Sequence, residues 1–280
     1  MAKGIAINIG LNSVDPDHYN GWDGQLSACE ADADDMRKIA KSKGLDAQAF
    51  LLTKDATAGA VKQALEDAAT ALSEGDLLFL TYSGHGGQVP DANGDEPDAR
   101  DETWVLYDRQ LVDDELYALW AGFEPGVRVL VLSDSCHSGT ATRAMYEETL
   151  IPMTVARGFT EESSVRTKDL PIPVQEETYR QHRDQYDEIQ RANPRAEEVD
   201  IAAGVILISG CQDNQLSLDG VQNGLFTSKL LEVWSNGEYK GGHRRFRKQI
   251  ANLMPPTQTP NFYPAGEVRR RFVRERPLTI

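Results

Sequence analysis

The sequence predicts an α/β protein with a mostly parallel central β-sheet and helices on both faces. Three observations predict it. Short apolar runs bounded by turn residues occur at 4–10, 76–82, 127–132 and 204–211, and they read as buried strands. Stretches with helical spacing lie between them, and strands alternating with helices imply βαβ units and parallel pairing. Two of the runs end in small-residue turns with one reactive side chain each, Ser83-Gly84-His85-Gly86-Gly87 and Ser133-Asp134-Ser135-Cys136-His137-Ser138-Gly139. Ligands of open α/β sheets bind beyond the carboxyl ends of the strands. If the two strands are parallel neighbours, an imidazole and a thiol converge on one crevice.

The elements follow in order. Gly4 to Gly10 is the first strand. Residues 26–42 carry Leu26, Cys29, Ala33, Met36, Ile39 and Ala40 at helical spacing. Phe50-Leu51-Leu52 is a short strand, and Thr57 to Leu72 is an amphipathic helix with Thr57 as its N-cap. The His85 strand comes next, then an acidic Gly/Pro/Asp loop leading to Thr103-Trp104-Val105-Leu106-Tyr107. Asp113 caps a helix through Trp120, with Asp114 and Glu115 favourable in its first turn. After the Cys136 strand, residues 144–200 change character, with four prolines, many charges and no strong strand. They read as an exposed, cleavable linker or insertion, with a polar helix over 175–192. Gly204 to Cys211 is a buried strand, Leu225 to Trp234 a helix, and 243–253 a short basic helix.

The chain has 280 residues, 26% charged and 40% apolar, an ordinary globular composition. Its formal charge of −15 argues against nucleic acid or an anionic membrane as partner and suits cationic substrates or divalent cations. The charge is uneven: 91–115 holds ten acidic residues against Arg100 and Arg109, and 240–276 holds ten basic residues against Glu267 and Glu275. Three cysteines are too few for a disulfide framework, so a reducing compartment is expected. With no signal peptide or membrane-spanning run in view, the expected location is cytoplasmic.

A thiolate is the nucleophilic form of cysteine, and a histidine within reach can take the thiol proton and later protonate a leaving amine. The N–H groups of Gly86 and Cys136 form a candidate oxyanion hole. The histidine precedes the cysteine by about fifty residues, the order and spacing of caspase-type proteases. Cys136 sits in a polar Ser/Asp/Gly turn and His85 between glycines, so core packing explains neither well. A metal site from the cysteines and histidines lacks CxxC-type spacing.

Together, Tyr82-Ser83-Gly84-His85-Gly86-Gly87-Gln88, Asn93-Gly94-Asp95-Glu96 with Asp101-Glu102, and Asp134-Ser135-Cys136-His137-Ser138-Gly139 resemble the metacaspases, most closely the type I and bacterial members. Further pieces are 28–33, 209–215 and Gln258-Thr259-Pro260. The resemblance implies a caspase–hemoglobinase fold and a cysteine endopeptidase cutting protein or peptide substrates after Arg or Lys. His85 is then the base and acid, Cys136 the nucleophile, and Asp32 and Asp134 the acidic pocket, lined by Cys29 and Ser83. A carboxylate pair at a pocket floor holds a guanidinium bidentately and repels an acidic side chain. For Cys29, core packing and pocket lining stay equally open; for Cys211, an inert core residue is the reading.

No cofactor is required for the chemistry. The resemblance points to Ca2+ held by Asp113 and Asp114, with Asp101 or Asp98 as a further ligand, but Arg143 stands where another acidic ligand is expected. Asp113 alone is adequately a helix cap. The resemblance further implies a monomer, and one domain over 1–280: a larger part (1–143) with the dyad, the linker (144–200) and a smaller part (201–280). Arg143, Arg157, Arg166 and Lys168, between Cys136 and the strand at 204–210, are candidate self-cleavage sites. Two other readings are a catalytically silent caspase-fold scaffold or signalling module, and a cysteine hydrolase of esters or small amides. The latter's G-x-C-x-G elbow is missing here.

Overall fold

A computed structural model describes residues 2–92, 94, 99–136, 166–193, 199–212 and 215–280. Its centre is a six-stranded sheet of β1 (Gly4–Gly10), β2 (Asp46–Leu52), β3 (Leu77–Ser83), β7 (Arg128–Asp134), β8 (Gly204–Ser209) and β9 (Asn261–Gly266), in the order β2-β1-β3-β7-β8-β9. All neighbours pair in parallel except β8 and β9. The mostly parallel sheet expected from the apolar runs is present.

Strand side chains alternate between faces, and here each face meets its own helices. Ile5, Ile7, Ile9, Leu78, Leu80, Val129 and Val131 pack with α2 (Ala58–Ala71) and α3 (Asp113–Ala121). Ala6, Leu77, Phe79, Leu130 and Leu132 pack with α1 (Cys29–Ser42), α6 (Leu225–Trp234) and α7 (His243–Asn252). This parity fixes the site. Ser83 and Asp134 continue the odd and even rows that face α1 and α6. The register pairs Tyr82 with Ser133 and Ser83 with Asp134, so both chemistry-bearing turns leave the sheet side by side.

Several details differ from the sequence reading. A second, antiparallel sheet of β4 (Gly86–Pro90), β5 (Arg100–Val105) and β6 (Gln110–Val112) packs beside the first. Gly86-Gly87-Gln88-Val89-Pro90 has too few apolar residues to announce a strand; its backbone pairing to β5 makes it one. Thr57 does cap α2, accepting from the Ala60 N–H at 3.2 Å. Asp113 is not the cap of α3 but its first residue; the cap position is Val112, whose N–H is met by Glu115 Oε2 at 3.3 Å. The expected polar helix is two, α4 (Ile172–Gln181) and α5 (Arg183–Ala192). β9, with Pro264, is an edge strand, where a missing N–H is tolerated. A short α8 (Arg270–Arg274) follows. The linker is not simply exposed: Lys168 and Leu170 are buried. No helix among the described residues is long and apolar enough to cross a membrane.

Candidate active site

The turn after β3 is set by Tyr82. Its hydroxyl donates to the carbonyls of His85 (2.6 Å) and Val105 (3.0 Å), and its ring stacks on Trp104 at 4.5 Å. His85 is buried, 4.7 Å from the Trp22 ring between centroids. Its Nε2 lies 2.9 Å from the Gly24 carbonyl. A carbonyl only accepts, so Nε2 carries the hydrogen and Nδ1 keeps its lone pair. Among the described residues no side-chain or backbone group makes a well-formed hydrogen bond to Nδ1, and the Asp169 backbone is the group that approaches the ring besides Gly24. Burial pushes the imidazole down to about 4, so it is neutral near pH 7.

Cys136 follows β7 and is fully buried. Its Sγ lies against Ser217, receiving that residue's N–H and standing 3.7 Å from its carbonyl. Burial pushes the thiol well above its ordinary range, and Cys211 beside it adds to the shift. No hydrogen bond joins Cys136 to His85 among the described residues. Cys211 lies just past β8, with Sγ 3.2 Å from the Ser135 carbonyl, and packs with Cys136, Leu216 and Leu218. It is a buried core residue, as expected, and a neighbour of the Cys136 thiol. His137 lies outside the described residues.

The acidic pocket forms on the α1/α6 face. Asp32 of α1 and Asp134 at the end of β7 are 1% and 2% exposed. Asp32 accepts from Ser83 Oγ (2.7 Å), Asn223 Nδ2 (3.0 Å) and the Gly224 N–H (3.1 Å). Asp134 accepts from Ser217 Oγ (2.6 Å) and Thr227 Oγ1 (3.1 Å). Gln258 braces Ser217, donating to its Oγ at 2.7 Å. A Cβ at Gly224 would lie 2.4 Å from Asp134 Oδ2, so the chain passes here only as glycine. Cys29 is buried at the start of α1 with Ser83 and Lys168 against its thiol, which burial pushes up.

The pocket holds the chain's own Lys168. Its ammonium is fully buried, 3.1 Å from Asp32 Oδ2, 3.0 Å from Asp134 Oδ2 and 2.9 Å from Ser83 Oγ. Burial alone would lower its pKa, but Asp134 and Asp32 outweigh burial and hold it raised. Asp32 is pushed up to about 6 by burial, against the pull of Lys168. Two carboxylates around one ammonium leave the pocket acidic even when filled.

The backbone of the same segment lies along the cleft. Residues 166–168 run antiparallel to 217–219: Lys168 N donates to Ser217 O (2.9 Å), and Asp219 N to Arg166 O (2.9 Å), with Thr167 opposite Leu218. The Lys168 carbonyl receives two N–H groups, from Gly86 at 3.0 Å and Cys136 at 3.1 Å. A peptide carbonyl gripped by two amides beside a thiol and an imidazole is polarised for acyl transfer.

The proposed calcium ligands behave differently. Among the described residues no group of three or more His, Cys, Asp or Glu side chains could hold a metal ion. Asp101 and Asp114 are buried on β5 and α3, and Asp113 opens α3. Residues 95–98 of the acidic loop, including the candidate ligand Asp98, lie outside the described residues, as do Arg143 and Arg157. Sequence reasoning missed Ser217, Asn223, Gly224 and Thr227, polar and small residues that no pattern singles out. Gln258 lay in one of the resembling pieces, and Lys168 was one of the four basic candidate cleavage residues between Cys136 and β8.

Comparison with known proteins gives the family. A caspase-domain family model matches residues 4–270. Metacaspase-1 of Kluyveromyces lactis is 28% identical over 258 residues, 80% of this chain and 56% of that protein. Metacaspase-1 of Mycosarcoma maydis is 29% identical over 253 residues, 81% of this chain and 60% of that protein. The chain thus spans 56–60% of the length of these curated relatives. A crystal structure of a Geobacter sulfurreducens protein is 51% identical, with 99% of both chains covered and a TM-score of 0.87. Caspase-1 of Spodoptera frugiperda, at 11% identity, covers 96% of this chain and 88% of its own with a TM-score of 0.53, a likeness of fold. The chain belongs to the caspase-domain (peptidase C14) family, and within it is metacaspase-like.

Proposed function

We propose that this chain is a cysteine endopeptidase that cuts after Lys or Arg through Cys136 and His85, and that its own Lys168–Asp169 bond is an internal substrate. One observation carries the reading: a basic side chain fills the acidic pocket while its carbonyl receives the N–H groups of Gly86 and Cys136. In the reaction, His85 Nδ1 takes the Cys136 proton as Sγ attacks the Lys168 carbonyl carbon. The C–N bond to Asp169 breaks, the imidazolium gives its proton to the leaving amine, and water then hydrolyses the thioester. Negative charge on the carbonyl oxygen is met by the two amides. The thiol rotates from Ser217 toward His85 for the attack.

The plugged pocket and the thiol parked against Ser217 also favour a second reading, a latent or catalytically silent caspase-fold module. Fluorogenic peptides ending in Arg, Lys or Asp, run with calcium and with chelator beside Cys136→Ala, separate the two. Cleavage after Arg and Lys that Cys136→Ala abolishes is expected, and its response to calcium decides whether the acidic loop binds the ion. Preference for Asp would overturn the pocket assignment, and no cleavage under either condition would favour the silent module.

A further inference from the structure

We infer that the cleft contains a second specificity subsite, an apolar socket for an aliphatic side chain two residues after the cut bond. The inference rests on reading the cleft as a peptidase site with Lys168–Asp169 as its internal substrate. Gly86 grips the segment on both sides of that bond. Its N–H donates to the Lys168 carbonyl at 3.0 Å, and its carbonyl accepts from the Leu170 N–H at 2.8 Å. Asp169 pairs with Gly86 in parallel register. The main chain therefore delivers the residue two positions after the cut to a fixed place, whatever its side chain.

That place is a socket. Leu170 is 1% exposed and packs with Val14, Tyr19 and Val105, bordered by the half-buried Trp22 and Val174. Val174 belongs to the segment itself, on α4; the standing walls come from the loop after β1 and from β5. The Tyr19 hydroxyl donates to the Leu106 carbonyl at 2.8 Å, so its polar end is already satisfied and its ring offers hydrocarbon to Leu170. Room for the leucine comes from a missing side chain: a Cβ at Gly87 would lie 3.2 Å from Leu170 Cδ2. A charged or amide side chain placed here would lose its hydration against aromatic and aliphatic walls. Trp22 contacts both this socket and the His85 ring, so filling the socket also fixes the wall behind the base. Preference for a basic residue before the cut is thus joined to preference for Leu or a similar side chain after it.

The test uses the wild-type chain and three internally quenched peptides: Arg-Thr-Lys-Asp-Leu-Pro, and the same peptide with Ala or Glu in place of Leu. A short Arg substrate with only a dye beyond the cut runs beside them. Competition from the chain's own Leu170 scales all three peptides alike and leaves their ratios intact. The socket predicts kcat/KM lower by about tenfold for Ala, and by more for Glu. Self-cleavage of Leu170→Ala, followed by mass spectrometry, slows by a similar factor, and Leu170→Met restores most of it. Equal kcat/KM for the three peptides, with the short substrate turned over, overturns the socket and leaves the peptidase reading standing. Failure to cut the short substrate removes the peptidase reading, and the socket with it.

Discussion

Asp134→Asn isolates the charge of the pocket from its shape. The amide is isosteric with the carboxylate, so packing against Phe226 and Gly210 is kept. What goes is one of the two carboxylates that meet the buried ammonium, the one 3.0 Å away through Oδ2. The amide nitrogen also brings hydrogens toward Lys168 Nζ or toward the Ser217 and Thr227 hydroxyls, which now donate to Asp134. A hydrogen bond to a charged group is worth roughly 1.5–3 kcal/mol, and removing one partner of a buried ion pair costs about 3–5 kcal/mol. Asp32 remains to hold the cation, so the lower range applies. That corresponds to a loss of roughly 10–150-fold in kcat/KM for an Arg or Lys substrate. The assay compares Arg with its neutral isostere citrulline in the same peptide. The charge argument expects the Arg preference to collapse while the slow citrulline rate stays. An unchanged Arg-to-citrulline ratio would refute it, because a pocket indifferent to one of its two carboxylates does not recognise charge through them.

Three further outcomes follow from the same geometry. Lys168→Met strands Asp32 and Asp134 without their cation, so cutting after residue 168 is lost while Lys168→Arg retains it; stability falls by at most about 3–5 kcal/mol, because the segment can undock and let water reach the carboxylates. Urea titration of both variants checks the stability and gel mobility the cutting. Glu115→Gln should lower stability by about 1–3 kcal/mol, read from the urea midpoint, since buried Glu115 is held by Arg109 at 2.7 and 2.8 Å and by Lys62 at 2.8 Å. Stability should also fall with acid: burial lowers His18, His85 and His243 from 6.5 to about 4, so between those values the unfolded chain binds more protons and folding weakens as pH drops. Asp32, raised from 3.8 to about 6 by burial, works the other way over 6 to 3.8, one group against three. A urea midpoint at pH 5 at or above that at pH 7 would contradict this.

The sheet was legible because its central strands are apolar on both faces. Ile5-Ala6-Ile7 and Leu77-Leu78-Phe79-Leu80 leave no polar face, which is the mark of a parallel strand covered by helices. Strand ends then located His85 and Cys136 without any knowledge of pairing, and the family resemblance added Asp32 and Asp134. The second sheet was hidden because Gly86 and Gly87 carry no pattern; their pairing with Trp104 and Thr103 is a backbone matter. The polar groups that hold the two carboxylates were hidden for a different reason. Ser217, Asn223 and Thr227 are ordinary loop and helix residues, and only the return of the chain over α1 brings them to Asp32 and Asp134. The linker offered Lys168 as a cleavage candidate but not its burial, since a lysine among prolines reads as solvated until two buried carboxylates are known to be waiting for it. Cys211 was legible as a core residue, but not its neighbour: the strand stops at Ser209, and the turn that follows packs Cys211 beside Cys136.

On the proposed function, the segment in the cleft is a substrate of the chain that carries it. Intact-mass and peptide mass spectrometry of wild type and Cys136→Ala, incubated side by side with and without calcium, tests it most directly. A new amino terminus at Asp169 is expected in the wild type and is absent in Cys136→Ala. A wild-type chain that turns over Arg peptides yet stays intact between Lys168 and Asp169, or a Cys136→Ala chain cut at that same bond, would contradict it.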